Sequence, residues 1–320
     1  MAKTAPALPH PFPFDPTYGF DLPGLLEVSA PPGPPDFAGF WRETSAAVRS
    51  VPLEIETRKI TSPHSGYDLL EVEFNSLDRV RIGGWITVPH QSSAGGWVVG
   101  HGYGGREAAE FNLPSPAGPA IFPCARGFHR SAHAGIPGEA ARHVVHGIET
   151  RATYVHRGCT ADIWAAASVL IELFPAAAAN LKYYGASFGG GIGALALPWD
   201  RRFHKAFLDI PSFGSHPLRV QLPCVGSGEF VRFHHRHHPG VLNVLAYFDA
   251  ATAARHIGIP VFVAAALFDP AVPPPGQFAI YNALAGPTEL YVRSAAHFDS
   301  IYAGPEDREI HALLSEWFTT

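Results

Sequence analysis

Residues 181–197 read LKYYGASFGGGIGALAL. A short apolar run leads into Gly185-Ala186-Ser187-Phe188-Gly189, the chain's single G-x-S-x-G, and a run of small residues follows. This order predicts a buried strand over 181–186, a tight turn, then a helix. A nucleophile elbow needs that context, because the turn projects the serine above the carboxyl edge of a sheet. Gly185 and Gly189 suit it, since strand and helix approach too closely there for Cβ atoms. The other reading is a glycine-rich turn with an incidental serine. The strand–turn–helix setting favours the elbow.

A serine hydroxyl is a poor nucleophile unless a base takes its proton and an acid orients the base. Downstream, IPVFVAAALFDPAVPPP (259–275) puts Asp269 just past an apolar run, where prolines forbid further strand. SAAHFD (294–299) puts His297 just past the next expected strand, TELYVR (288–293). Ser187, Asp269 and His297 thus follow the order nucleophile, acid, base, all at loop positions on one sheet edge. Asp209 and Asp299 are rival acids. Asp299 is too near His297 in sequence to orient it easily, and Asp209 ends the strand after the elbow.

VVGHGYGG (98–105) follows an earlier expected strand, where such a site takes its second oxyanion-binding amide. The same residues spell GxGxxG from Gly100 to Gly105, a dinucleotide fingerprint. That reading requires a helix to open at the glycines and an acid after the next strand. Here Pro114 and Pro116 follow closely, and AIFPCARG (120–127) offers Arg126 instead. The loop is therefore read as an oxyanion loop.

Further short apolar runs at 96–100, 120–124, 205–210 and 259–267 read as doubly buried strands. Helical stretches at 160–174, 276–285 and 306–318 lie between or after them. Residues 69–89 alternate as an antiparallel pair. DFAGFWRETSAAV (36–48) has helical spacing, with Asp36 as its N-cap. This alternation predicts a mostly parallel sheet with helices on both faces. Residues 1–35 are Pro-rich and are expected to wrap over a single domain at 36–320. Residues 213–248 interrupt the alternation as a cap or an interface insertion. FHHRHHP (233–239) invites a metal site, but adjacent side chains diverge on a helix and no Cys or acid is interleaved. A solvated helix end is the better reading. No metal or cofactor is required.

The 320 residues are 47% hydrophobic and 16% charged, enough apolar content for a large core, so a disordered chain is excluded. With a net charge of −5 and no long basic run, no nucleic-acid footprint exists. No apolar run is long enough to span a membrane, and the start MAKTAPALPHPFPFDP lacks the apolar region of a secretory signal. Three cysteines without CxxC spacing point to a reduced, cytoplasmic protein.

With these residues in view, the chain resembles carbohydrate esterase family 7, the acetyl xylan esterase and cephalosporin C deacetylase group of α/β-hydrolases. The resemblance runs from about residue 36 onward and rests on VRIGGWITVP, GHGYGG, TYVHRGCTADIWAAASVL, GEFVRFHHRHHP, AYFDA and LFDPAVPPPGQFAIYNAL, in the family's order. It implies Ser187 as nucleophile, Asp269 as acid, His297 as base, and the Tyr103 and Phe188 amides as the oxyanion hole. It also implies a small-molecule ester substrate and a ring-like hexamer. Phe128, Phe188 and Phe298 stand where the family carries Gln, Gln and Glu. Near the nucleophile, three such rings are expected to form an apolar wall favouring butyryl or aryl esters. The alternative is that they pack inward and leave acetyl preference unchanged. The function expected is a serine esterase acting on short acyl esters. An aminopeptidase or amide hydrolase of the same fold, or a non-catalytic binding protein, are the rivals.

Overall fold

The strands are β1 (Glu56–Ile60), β2 (Tyr67–Asn75), β3 (Arg81–Pro89), β4 (Gly96–Val99), β5 (Ala120–Pro123), β6 (Leu181–Ala186), β7 (Phe203–Asp209), β8 (Val261–Ala266) and β9 (Thr288–Arg293). In the computed structural model, which describes residues 4–91, 93–115 and 118–319, they form one sheet in the order β1-β2-β3-β5-β4-β6-β7-β8-β9. Lys3 and Pro116 therefore lie outside the described residues. The strands from β5 to β9 pair in parallel, while β1, β2 and β3 add antiparallel to that edge.

Every residue of β8, VFVAAA, is buried, as expected of a strand covered on both faces. The edge strand β1, ETRKI, has no apolar pattern and was not foreseen. It is held by pairing with β2 and by ion pairs from Arg58 to Glu71 and Lys59 to Asp68. Charge along an exposed edge also discourages pairing with another chain.

Six helices have eight or more described residues: α1 (Phe37–Arg49), α2 (Val155–Leu173), α3 (Phe188–Ala196), α4 (Gly228–His237), α5 (Pro274–Ala283) and α6 (Ala303–Trp317). Helices α1, α2, α3 and α5 pack into the main core with Val98, Ile121, Leu208 and Val263. Ile310 and Leu314 of α6 cover the opposite face, against Trp97, Val99, Phe207 and Phe262. Helices thus lie on both faces, as expected. Among the described residues no helix follows β4, so the GxGxxG reading has no helix to open.

Asp36 does not cap α1. It stands at the N-cap position without a side-chain cap bond, because Arg151 and the Tyr247 hydroxyl take its carboxylate instead. The His-rich stretch forms the C-terminal end of α4 and its C-cap, where the His234 and His238 rings lie 4.7 Å apart, tilted by 37°. Among the described residues no cluster of three or more His, Cys, Asp or Glu could hold a metal ion. None of the described helices is long and apolar enough to cross a membrane.

The chain leaves β4 for β5 on one side and returns to β6 on the other. Such a reversal opens a crevice at the carboxyl ends of the strands, where α/β sheets bind ligands. The Gly100–Gly105 loop and Ser187 both lie there.

Candidate active site

Ser187 closes β6 and starts α3 with φ 53° and ψ −111°, a conformation an L-residue adopts only under constraint. Three backbone bonds impose it. Ser187 N–H donates to the Asp209 carbonyl at 2.8 Å, and its own carbonyl accepts from Gly191 at 3.1 Å and Ser212 at 3.0 Å. The flanking glycines work as expected. A Cβ on Gly185 would lie 2.5 Å from the Gly189 carbonyl oxygen, and one on Gly189 would lie 2.9 Å from the Gly100 and His101 backbone. Neither contact is sterically tolerable, so the elbow and the Gly100–Gly105 loop touch only because both positions lack side chains.

The structure brings the three predicted residues into one hydrogen-bonded chain. His297 Nε2 is 3.0 Å from Ser187 Oγ, and His297 Nδ1 is 2.8 Å from Asp269 Oδ2. A carboxylate only accepts, so Nδ1 carries the proton and Nε2 presents its lone pair to the serine hydroxyl. Burial disfavours the imidazolium, but the charge and hydrogen bond of Asp269 outweigh it. With Asp209 adding and Arg293 opposing, the pKa of His297 rises above the usual 6.5.

Asp269 is fully buried and saturated with donors. Its Oδ1 accepts from the Ala271 and Val272 amides, each at 2.9 Å, and its Oδ2 accepts from Gln277 Nε2 at 2.9 Å as well as from His297. Gln277 was not foreseen. The stretch at 276–285 carries two amide side chains, Gln277 and Asn282, and nothing in its pattern marks which one meets Asp269. Among the described residues neither rival acid is hydrogen-bonded to His297. Asp209 pairs with Arg293 through two bonds at 2.9 and 3.0 Å, and Asp299 is exposed.

The amides of Tyr103 and Phe188 sit on the two segments that meet at Gly189, and among the described residues neither donates a hydrogen bond. Two unforeseen features hold Tyr103. First, His101 accepts the Ala125 amide on Nε2 at 2.8 Å, so its Nδ1–H donates to the Gly102 carbonyl at 2.7 Å. That carbonyl and the Tyr103 N–H belong to one planar trans peptide and point opposite ways, so fixing the first aims the second. Burial pushes His101 down to about 4, which keeps it neutral.

Second, the Tyr103 hydroxyl lies between two buried histidines. His143 must donate from Nε2 to the Arg126 carbonyl at 3.0 Å, so its Nδ1 accepts from Tyr103 at 3.2 Å. Tyr103 in turn accepts from His156 Nε2 at 2.9 Å. Burial lowers His143 to about 4 and His156 well below its ordinary value, so both are neutral partners.

The three phenylalanines do not form a common wall. Phe188 and Phe128 are only 2% and 3% exposed and pack with Tyr103, His143 and Phe213, with 4.3 Å between the Phe188 and Tyr103 ring centroids. Phe298 instead meets Phe268 and Phe12 at 5.2 and 5.8 Å. An aromatic side chain at 128 or 188 gains most by joining the ring cluster, so two of the three turn into the core.

Comparison with solved structures places the fold among known hydrolases. An acetyl xylan esterase from Paenibacillus sp. R4 superposes with a TM-score of 0.79 at 24% identity, covering 93% of this chain and 99% of that one. Acetyl xylan esterase 1 from Thermoanaerobacterium sp. JW/SL YS485 gives 0.77 at 19%, covering 94% and 99%. The acylaminoacyl peptidase of Pyrococcus horikoshii gives 0.58 at 16%, covering 85% of this chain but 42% of its own length. Comparison with curated proteins finds no match. A scan against protein families matches acetyl xylan esterase (AXE1) over residues 27–312, nearly the whole chain, and on that match the chain belongs to the acetyl xylan esterase family.

Proposed function

We propose that Ser187, His297 and Asp269 carry out the carboxylic-ester hydrolysis of this enzyme family, with acetyl groups on sugars as the natural substrate. Ser187 Oγ attacks the ester carbonyl while His297 Nε2 takes its proton. The Tyr103 and Phe188 amides bind the oxyanion as it develops. His297 then gives the proton to the departing alcohol, leaving an acyl-serine. A water deprotonated by the same nitrogen releases the acid and restores the enzyme. Asp269 keeps the imidazole in the required tautomer and stabilises its charged form.

One observation carries this reading: the Ser187–His297–Asp269 relay, with bonds of 3.0 and 2.8 Å. A short acyl group is favoured because the rings beside both oxyanion amides pack on one another instead of opening a slot. The three buried free cysteines, Cys124, Cys159 and Cys224, support a reducing, cytoplasmic setting. Exposed Phe230 and Phe233 on the 213–248 segment support a homo-oligomer, which sedimentation would test.

Purified protein should release acetate from acetylated xylo-oligosaccharides and cephalosporin C-type acetates, and a fluorophosphonate should label Ser187. Labelling together with faster cleavage of p-nitroanilides than of p-nitrophenyl acetate would instead favour an amide hydrolase. Absence of both labelling and turnover would favour a binding protein.

A further inference from the structure

The N-terminal segment lies outside the family match, which begins at residue 27, yet it reaches the candidate triad. Residues 9–14 alternate proline with His10, Phe12 and Phe14. Proline fixes its own φ and holds the preceding residue extended, so this strip is stiff before it docks. Its rings stack in a row, His10 on Phe12 at 5.5 Å, Phe12 on Phe14 at 5.8 Å and Phe14 on Tyr18 at 5.8 Å. The row continues into the protein at two positions. His10 meets Phe268 at 5.5 Å and Phe12 meets Phe298 at 5.8 Å, while Phe268 and Phe298 touch at 5.2 Å.

Phe268 immediately precedes Asp269, and Phe298 immediately follows His297. The strap also accepts the Asp269 backbone N–H on the Pro16 carbonyl at 3.2 Å, and Tyr18 anchors it by donating to the Pro223 carbonyl at 2.7 Å. His297 needs such support. It lies on a loop with φ 46°, an unfavourable backbone for an L-residue, and among the described residues its imidazole is bonded only to Asp269 and Ser187.

We propose that residues 9–18 are a positioning clamp, which fixes the Asp269–His297 pair by gripping the aromatic neighbour of each. This rests on the triad reading above. Among the described residues the clamp makes no hydrogen bond to the side chain of Ser187 or His297 and acts through Phe268, Phe298 and the Asp269 N–H, so its effect is expected in turnover and not in ground-state binding.

The test is steady-state kinetics of the full chain on p-nitrophenyl acetate for Phe12→Ala and Phe12→Tyr, with folding followed by circular dichroism and thermal unfolding. Phe12→Ala should lower kcat about tenfold, since small misplacements of catalytic groups are costly, with KM within about twofold. Phe12→Tyr keeps the ring and should restore kcat. Unchanged kcat in Phe12→Ala, an equal loss in both variants, or a change confined to KM would overturn the clamp. Ser187→Ala run alongside separates the two ideas. Turnover lost there but intact in Phe12→Ala removes the clamp alone, whereas turnover retained in Ser187→Ala removes the triad and the clamp together.

Discussion

Gln277 Nε2 donates to Asp269 Oδ2 at 2.9 Å, on the same carboxylate oxygen that meets His297 Nδ1 at 2.8 Å. The amide is itself fixed at both ends. Its Oε1 accepts the Ala266 N–H at 2.8 Å, and its Nε2 also donates to the Val272 carbonyl at 2.7 Å. One buried side chain therefore ties β8, the Asp269 turn and α5 to the orientation of the acid. Gln277→Leu should lower kcat with KM little moved. It should also lower stability by ~1–3 kcal/mol, because the buried Ala266 N–H loses its acceptor. Urea unfolding and kinetics on one preparation check both effects, and a variant with unchanged kcat would remove Gln277 from the positioning of Asp269.

Ser187→Ala should cost on the order of 10⁴-fold or more in kcat, as triad losses do, while leaving thermal unfolding close to wild type. The side chain is only partly buried, and the elbow is held by backbone bonds that alanine retains. Substantial turnover by a folded variant would contradict the assignment.

The pH profile follows from the sign of the shift at His297. Only the neutral imidazole accepts the serine proton, so kcat/KM must fall as the pH drops through its pKa. Burial lowers that pKa, but Asp269, aided by Asp209 and opposed by Arg293, raises it above 6.5 overall. The acidic limb should therefore lie above pH 6.5 and move down in Asp269→Asn, together with a large loss of rate. A wild-type midpoint below 6.5, measured with the enzyme still folded, would refute the shift.

Phe188→Gln tests what the buried ring does. The side chain is 2% exposed among Tyr103, Phe128 and Phe213, where an amide finds an apolar cluster. The substitution should destabilise by ~3 kcal/mol, from lost packing and a poorly partnered polar group. The order of rates, acetyl above propionyl above butyryl p-nitrophenyl esters, should persist. A wild-type enzyme that prefers butyryl esters would restore the apolar wall that the buried positions of Phe128 and Phe188 argue against.

Much of the site was legible because its rules are local. The glycines around Ser187 answer to backbone sterics within a few residues. Asp269 follows the buried strand β8 and His297 follows the half-buried edge strand β9, and the parallel pairing of those two strands brings the residues after them to one sheet edge. Asp36 misled for a related reason. Its cap position was read correctly, but Arg151 and Tyr247, distant in sequence, compete for the carboxylate. Strand β1 escaped because its pattern is set by an edge with charged partners, and an edge strand needs no apolar face.

By itself, the sequence determined the parallel sheet, the strand–turn–helix at Ser187 and the placement of Asp269 and His297 just past strands on the same edge, since hydrophobic period and turn chemistry act over a few residues. Tertiary structure alone decided which rings face the core, which tautomers His101, His143 and His156 adopt, and that Phe12 reaches Phe298 across 286 positions of chain. Those outcomes depend on which buried groups compete for the same space and hydrogen-bond partners. That competition exists only once the chain has closed on itself.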